Sequence, residues 1–218
     1  MTPYEALIAN TAKARDGLLT APVIQRALVG DVTPELYVAY LTQAYHHVRH
    51  TVPLMMAVGS RLGTGYDWLR KEIVHYTEEE IGHEVWILND IEAAGGDREQ
   101  VAASEPSIET EAMVAYAYDI AHRRNPVGFF GMVFVLEGTS IALALNAAQA
   151  IQSSLRLPDR AFSYLRSHGK LDQEHVHHLA GIVNRLDSPT DARSITRCAE
   201  AMFWLYGNIF RSLDAVPA

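Results

Sequence analysis

Apolar residues recur at helical spacing along the whole chain, and no stretch alternates residue by residue as a half-buried strand would. PYEALIANTAKARDGLL predicts an N-terminal helix and APVIQRALV a short second one. Thr33 is read as the cap of a long helix, TPELYVAYLTQAYHHVRHTVPLMMAVGSRL, with Pro34 at its first position and a kink at Pro53. After Gly63-Thr64-Gly65, a helix is predicted from Tyr66 to Ala94, stopped by Gly95-Gly96. Residues 97–106 read as a polar loop. A helix then runs from Ser107 to Arg124 and ends at Asn125-Pro126. An apolar helix covers Val127 to Leu155. Leu157-Pro158-Asp159 opens another that reaches Leu186, and Ser188-Pro189-Thr190 opens the last, which carries AMFWLYGNIF. No repeat, low-complexity tract or linker interrupts the series. The expectation is an all-α, single-domain bundle of seven or eight helices over residues 1–218.

Composition narrows the function classes. With 218 residues, 49% of them hydrophobic, the chain can bury one sizeable core. The formal net charge is -8 and no Lys/Arg cluster occurs, which argues against a nucleic-acid partner. A single cysteine, Cys198, leaves no disulfide framework and no thiolate-rich metal site within the chain. The start, MTPYEALIAN, lacks the layout of a secretory leader. Val127 to Ala150 comes nearest to a membrane span, but Glu137 and Asn146 interrupt it, so it reads as a core helix. No membrane partner and a cytoplasmic location are expected.

Several polar groups lie where apolar ones would be expected. In HGKLDQEH, with His168 as zero, Asp172 falls near about +40° and His175 near about -20° on a helix. Leu179 and Ile182 continue the same stripe, while His177 falls on the opposite side and His178 on the flank. One such histidine alone is more often a hydrogen-bonded core or surface residue. Three ligand types on one apolar stripe favour a metal site. Glu137 stands in GMVFVLEGTSIALAL, beside Val133, Phe134, Ser140 and Ile141. A carboxylate there is costly unless paired, protonated or metal-bound; a bond to backbone or to a tyrosine is the plainer alternative. In HYTEEEIGHEVWILND, His83 shares a face with Tyr76, Glu79, Glu80, Trp86, Ile87 and Asp90, whereas Glu78 reads as solvated. Carboxylates and imidazoles without thiolate suit iron or manganese, and a bridging carboxylate suits two ions. Glu72/His75 and Glu80/His83 both match Glu-x-x-His, yet they fall on one predicted helix, so a ferritin-like pattern fits poorly.

These motifs together resemble the haem-oxygenase-like di-iron oxidases and oxygenases, in the broad group that also holds TenA and PqqC. The resemblance runs from LTQAYHHVRHT to HGKLDQEHVHHL and is carried by EEIGHE, VLEGTS and HGKLDQEH. By position it implies Glu80, His83, Glu137, His168, Asp172 and His175 as ligands of two Fe(II) ions, with O2 as co-substrate and Glu137 as the catalytic bridging carboxylate. The first glutamate of that family lies three, seven or ten residues before the histidine. Tyr76 and Ile73 occupy the seven- and ten-before positions here, which leaves Glu80, with Glu79 as runner-up. On one continuous helix the three family spacings fall about 20–80° to one side of His83, and Glu79 about 40° to the other.

The resemblance further implies a small-molecule substrate, an amine, amino acid or fatty acid. The reaction would be N-oxygenation, desaturation or oxidative C–C cleavage, and a homodimer is expected. His46, Arg49 and Tyr76 are the candidate substrate-binding residues: His46 and Arg49 lie on the helix that lines the pocket in relatives, and Arg49 suits a carboxylate. Tyr45, Tyr76 and Tyr118 are also candidates for orienting the histidines. TenA-type thiaminases use a mid-chain cysteine, whereas Cys198 lies in the last predicted helix. PqqC-like enzymes work without metal, and a haem site would not explain Glu137 or Asp172. The readings kept beside the oxidoreductase are a metal- or ligand-binding helical protein without catalysis and a metal-free PqqC/TenA-like enzyme.

Overall fold

The computed structural model describes residues 1–215, with the side chains of all but 170–173. The described residues are helical and contain no strand. The helices are α1 (Pro3–Leu19), α2 (Pro22–Leu28), α3 (Pro34–Val48), α4 (Thr51–Arg61), α5 (Asp67–Glu80), α6 (His83–Ala93), α7 (Arg98–Ala103), α8 (Ile108–Arg123), α9 (Phe130–Leu155), α10 (Ser163–Arg185) and α11 (Pro189–Ser212). Short 3-10 turns precede α9 and α10 and follow α11. Local chemistry sets most starts. Thr2 and Glu5 form a capping box on α1, and Thr33, Ser107 and Ser188 cap α3, α8 and α11 through their hydroxyls.

Two helices expected to be continuous are broken, which accounts for more segments than the expected seven or eight. Between α3 and α4 the chain leaves the helix at Arg49 and His50. Arg49 lies four residues before Pro53, where the proline ring would collide with a helical carbonyl. The break places Pro53 in the first turn of α4, where a missing N–H costs nothing. Between α5 and α6, Ile81 turns to φ -61°, ψ 120°, and Gly82 adopts φ +91°. A side chain at Gly82 would be strained in that conformation. The expected polar loop at 97–106 also holds the short α7, capped by Asp97.

α9 is the central post, packed against α2, α10 and α11. Gly131 lets α11 approach it: a Cβ there would lie 2.4 Å from the Ile195 carbonyl oxygen. By length and mean hydropathy (1.8), Pro126–Leu155 is apolar enough to cross a membrane, but 67% of its most apolar window is buried inside the bundle. It is therefore a core helix, as its interrupting polar residues suggest.

α10 is fixed from outside. Its first residues have no capping side chain of their own. Asp90, fully buried on α6, accepts hydrogen bonds from Ser163 N at 3.0 Å, Tyr164 N at 2.8 Å and the Ser163 hydroxyl. A carboxylate at a helix N-terminus satisfies orphan donors and complements the helix dipole. Burial nevertheless holds the Asp90 pKa above its ordinary value, with those hydrogen bonds pulling the other way. The cap sets the register of α10, and hence of Tyr164, Leu165 and His168.

Candidate metal centre

Four helices deliver the polar groups. The break at Ile81-Gly82 ends α5 on Glu80 and begins α6 on His83, and both side chains turn inward and are buried. Glu80 Oε2 lies 3.0 Å from His83 Nδ1. His168 on α10 approaches from the other side, its ring centroid 4.8 Å from that of His83. One ligand atom each from Glu80, His83 and His168 can be chosen so that all lie within 4.8 Å of one another. That is the spacing at which a single ion could be held. Trp86 stacks on His83 at 4.0 Å, and Tyr164 presents its ring to His168 at 4.7 Å, so aromatic packing fixes both imidazoles.

A second group lies beside the first. Glu137 on α9 is buried, with Oε1 3.6 Å from His175 Nδ1. The other nitrogen of that ring, Nε2, lies 3.2 Å from Glu79 Oε2. Tyr76 donates its hydroxyl to the His175 carbonyl oxygen at 3.1 Å and sets its ring edge-on to the imidazole at 5.4 Å. The structure thus brings Glu80, His83 and His168 into one group and Glu137 and His175 into another. The side chain of Asp172 lies outside the described residues. The stripe inferred for α10 holds at its described positions, since His175, Leu179 and Ile182 are buried and His177 is exposed. His178 pairs with Glu72 at 2.9 Å on the flank.

Helix-wheel angles between Glu79 or Glu80 and His83 do not apply here, because the helix is interrupted between them. The two glutamates do not compete for one position. Glu80 faces His83, and Glu79 faces His175 and, at 3.7 Å, His75.

The structure places the other candidate residues as follows. Arg49 is exposed, caps α3 and lies over the Tyr45 ring, so it faces away from the interior. His46 is buried but turned to Ser104 Oγ, 3.0 Å away. Neither lines the cavity beside the metal-ligand group, where α3 presents His47 and Val48 instead. Tyr76 also lies off that cavity and serves His175. His47 is buried, and burial, reinforced by His168, His50 and His46, pushes its pKa down to about 3. It is therefore a neutral imidazole. The HH pair hid its role. Its spacing from Leu36 and Tyr40, eleven and seven residues, would have placed it on their face.

The cavity, about 150 Å³, opens beside Glu80, Glu137 and His168 and runs between α2, α3, α9 and α11. Its wall is apolar over most of its extent, with Ile24, Leu36, Ala147 and Phe210 among the residues away from the carboxylates. No arginine or lysine among the described residues lines it.

The fold recurs in solved structures. A domain of unknown function with a heme oxygenase-like fold from Shewanella denitrificans is 29% identical, with a TM-score of 0.86, covering 96% of this chain and 91% of that one. A TenA homolog from Pseudomonas syringae pv. tomato superposes with a TM-score of 0.80 at 12% identity, over 97% and 92% of the two chains. Heme oxygenase-1 from the cyanobacterium Synechocystis, in complex with heme, gives a TM-score of 0.76 at 13% identity, over 98% and 93%. No curated protein matches the sequence. The last two likenesses speak for the fold alone, which is all-α and heme-oxygenase-like. The profile of a family described as iron-containing redox enzymes matches residues 38–207, which span the whole metal-ligand group, and the chain belongs to that family.

Proposed function

We propose that this protein is an O2-dependent oxidase or oxygenase that works with two Fe(II) ions on a small organic substrate. The observation that carries this reading is the meeting of Glu80, His83 and His168 beside an apolar cavity, with Glu137 and His175 adjoining. The donor set fits iron: imidazoles and carboxylates without a thiolate, since Cys198 is buried in α11. Glu80, His83 and His168 would hold one ion. Glu137 and His175, with Asp172 from the sequence pattern, would hold the other, and Glu79 is placed to join them. Bound Fe(II) would supply electrons to O2 and leave an oxidant for the substrate.

The chain's own part is positioning and exclusion. Trp86 and Tyr164 hold the rings of His83 and His168, and the Tyr76 hydroxyl anchors the backbone at His175. The apolar wall keeps water from the reacting end. The substrate class remains an amine, an amino acid or a fatty acid, and the product an N-oxygenated, desaturated or cleaved compound.

The test is O2 uptake by protein loaded anaerobically with Fe(II). Wild type should consume O2 faster with one substrate class than with the others. His83→Ala and His168→Ala should lose at least about 90% of that rate, or about 1.4 kcal/mol or more of barrier lowering. Uptake by both variants at the wild-type rate would reject the assignment.

A further inference from the structure

Glu72 and His75 repeat the Glu-x-x-His spacing of Glu80 and His83 earlier on α5, and neither belongs to the two ligand groups. Glu72, His75 and Glu79 fall within about 60° of one another on that helix and so share one side of it. α10 faces them with His175 and His178, three residues apart. Across the two helices, His178 Nε2 lies 2.9 Å from Glu72 Oε2, and the ring centroids of His75 and His178 are 5.2 Å apart. His75 Nε2 lies 3.7 Å from Glu79 Oε1, and Glu79 Oε2 lies 3.2 Å from His175 Nε2. Each group thus adjoins the next in the order Glu72, His178, His75, Glu79, His175, over roughly 10 Å of α5 at the helical rise per residue.

The string runs from solvent to interior. The His75 side chain is 52% exposed and that of Glu79 39%, whereas that of His175 is 5% exposed. A groove lined by Trp68, Glu72, His177, His178 and Arg185 opens beside the outer end, with the Arg185 guanidinium stacked on the Trp68 ring at 4.2 Å. A divalent cation gives up its water only where other donors replace it. The apolar wall of the cavity offers few such donors along most of its extent. The string offers them at each turn, as the carboxylates and imidazoles that iron accepts. Among the described residues, only Glu80, His83 and His168 converge closely enough to give one ion three ligands. The outer groups come in pairs instead, Glu72 with His178 and His75 with Glu79. A succession of weak sites lets an ion enter and also leave, which suits passage rather than retention.

We propose that Glu72, His178, His75 and Glu79 form the path by which Fe(II) enters and leaves the metal centre. This rests on the reading of Glu137 and His175 as ligands of the second ion. The path sets the rate of loading and not the affinity of the loaded state. Uptake and release cross the same groups, so weakening the path slows both by one factor and leaves their ratio, the dissociation constant, in place. Glu79 belongs to the path and to the centre, so the three outer residues carry the test.

The test is anaerobic rapid mixing with Fe(II) and a coloured Fe(II) chelator. Uptake is the rate at which added Fe(II) becomes protected from a brief chelator pulse. Release is the rate at which loaded protein surrenders iron to excess chelator. The triple variant Glu72→Gln/His75→Gln/His178→Gln should slow both by at least about tenfold, and each single variant by at least about twofold, as expected when a charged entrance that speeds association is removed. Ions bound per chain and the dissociation constant should stay at wild-type values. Glu78→Gln removes the same charge from an exposed position on α5 outside the string and should leave both rates unchanged. Circular dichroism confirms that each variant is folded, and the single variants decide the matter should the triple one not fold. Uptake and release at the wild-type rates in the variants would overturn the proposal. Equal slowing by Glu78→Gln and Glu72→Gln would overturn it in favour of a diffuse field, and loss of bound iron with unchanged uptake would make these residues ligands rather than a path. A wild type that loads iron no faster than its variants overturns the path alone, whereas a wild type that takes up no iron overturns the centre with it.

Discussion

Glu137 shows how far single residues can be read. A carboxylate within VFVLEGTS stands out because every neighbour one turn away is apolar or small, and the structure buries it beside His175. Glu137→Gln keeps the shape and removes the charge. The metal-free variant should melt at or slightly above the wild-type temperature, because a buried ionisable group is gone. Its O2 uptake after Fe(II) loading should fall to background. Glu137→Ala should instead lose roughly 1–3 kcal/mol in denaturant titration through the cavity it leaves. O2 uptake by the glutamine variant at the wild-type rate would make Glu137 a structural residue. His46 and Arg49 were less legible. Three histidines and an arginine within five positions point to several faces of a helix, and the apolar pattern did not single out the one that lines the cavity.

At the scale of elements, apolar periodicity located the helices but not their interruptions. α5 and α6 each bury a face of similar character, so the pattern passes through Ile81-Gly82 without a visible fault. Only the positive φ of Gly82 reveals why a glycine stands between two ligand-type residues. Gly82→Ala should therefore cost about 1–2 kcal/mol and weaken Fe(II) binding by shifting Glu80 relative to His83. Gly138→Ala is the control. Gly138 is exposed within α9, and a Cβ there meets nothing within 4 Å, so alanine should stabilise by roughly 0.5–1 kcal/mol. Equal melting shifts for the two variants would show that the break does not depend on Gly82. The anchoring of α10 was likewise invisible, because Asp90 and Ser163 lie 73 residues apart. Asp90→Ala strips the cap from a buried helix start and should cost about 1–3 kcal/mol, read by chemical denaturation.

The whole molecule is an all-helical bundle around an apolar post, and this architecture follows from composition and period alone. What the period could not supply is the cavity, which arises from the way α2, α3, α9 and α11 come together. Two bulk properties follow from burial. His47 is held neutral with a pKa near 3, against an ordinary 6.5. Between those values the unfolded chain takes up a proton that the folded one refuses. Stability should therefore fall as pH drops below about 6.5, by up to about 1.4 kcal/mol per pH unit from this residue, while above 6.5 it contributes nothing. His47→Phe should flatten the slope of stability against pH between 6 and 4, measured by urea titration; an unchanged slope would show that His47 is not the cause. Cys198 is buried with its thiol pKa pushed up to about 12. A thiol reagent should modify it only as the protein unfolds, so the labelling rate should follow denaturant concentration.

Anaerobic Fe(II) titration of the purified chain, followed by metal analysis after desalting, tests the central claim most directly. Two ions per chain are predicted for wild type, with affinity that weakens as pH falls because the ligands must lose protons. His168→Ala and His175→Ala should each reduce the stoichiometry toward one. A wild-type chain that binds no iron, or variants that still bind two ions with unchanged affinity, would contradict the account.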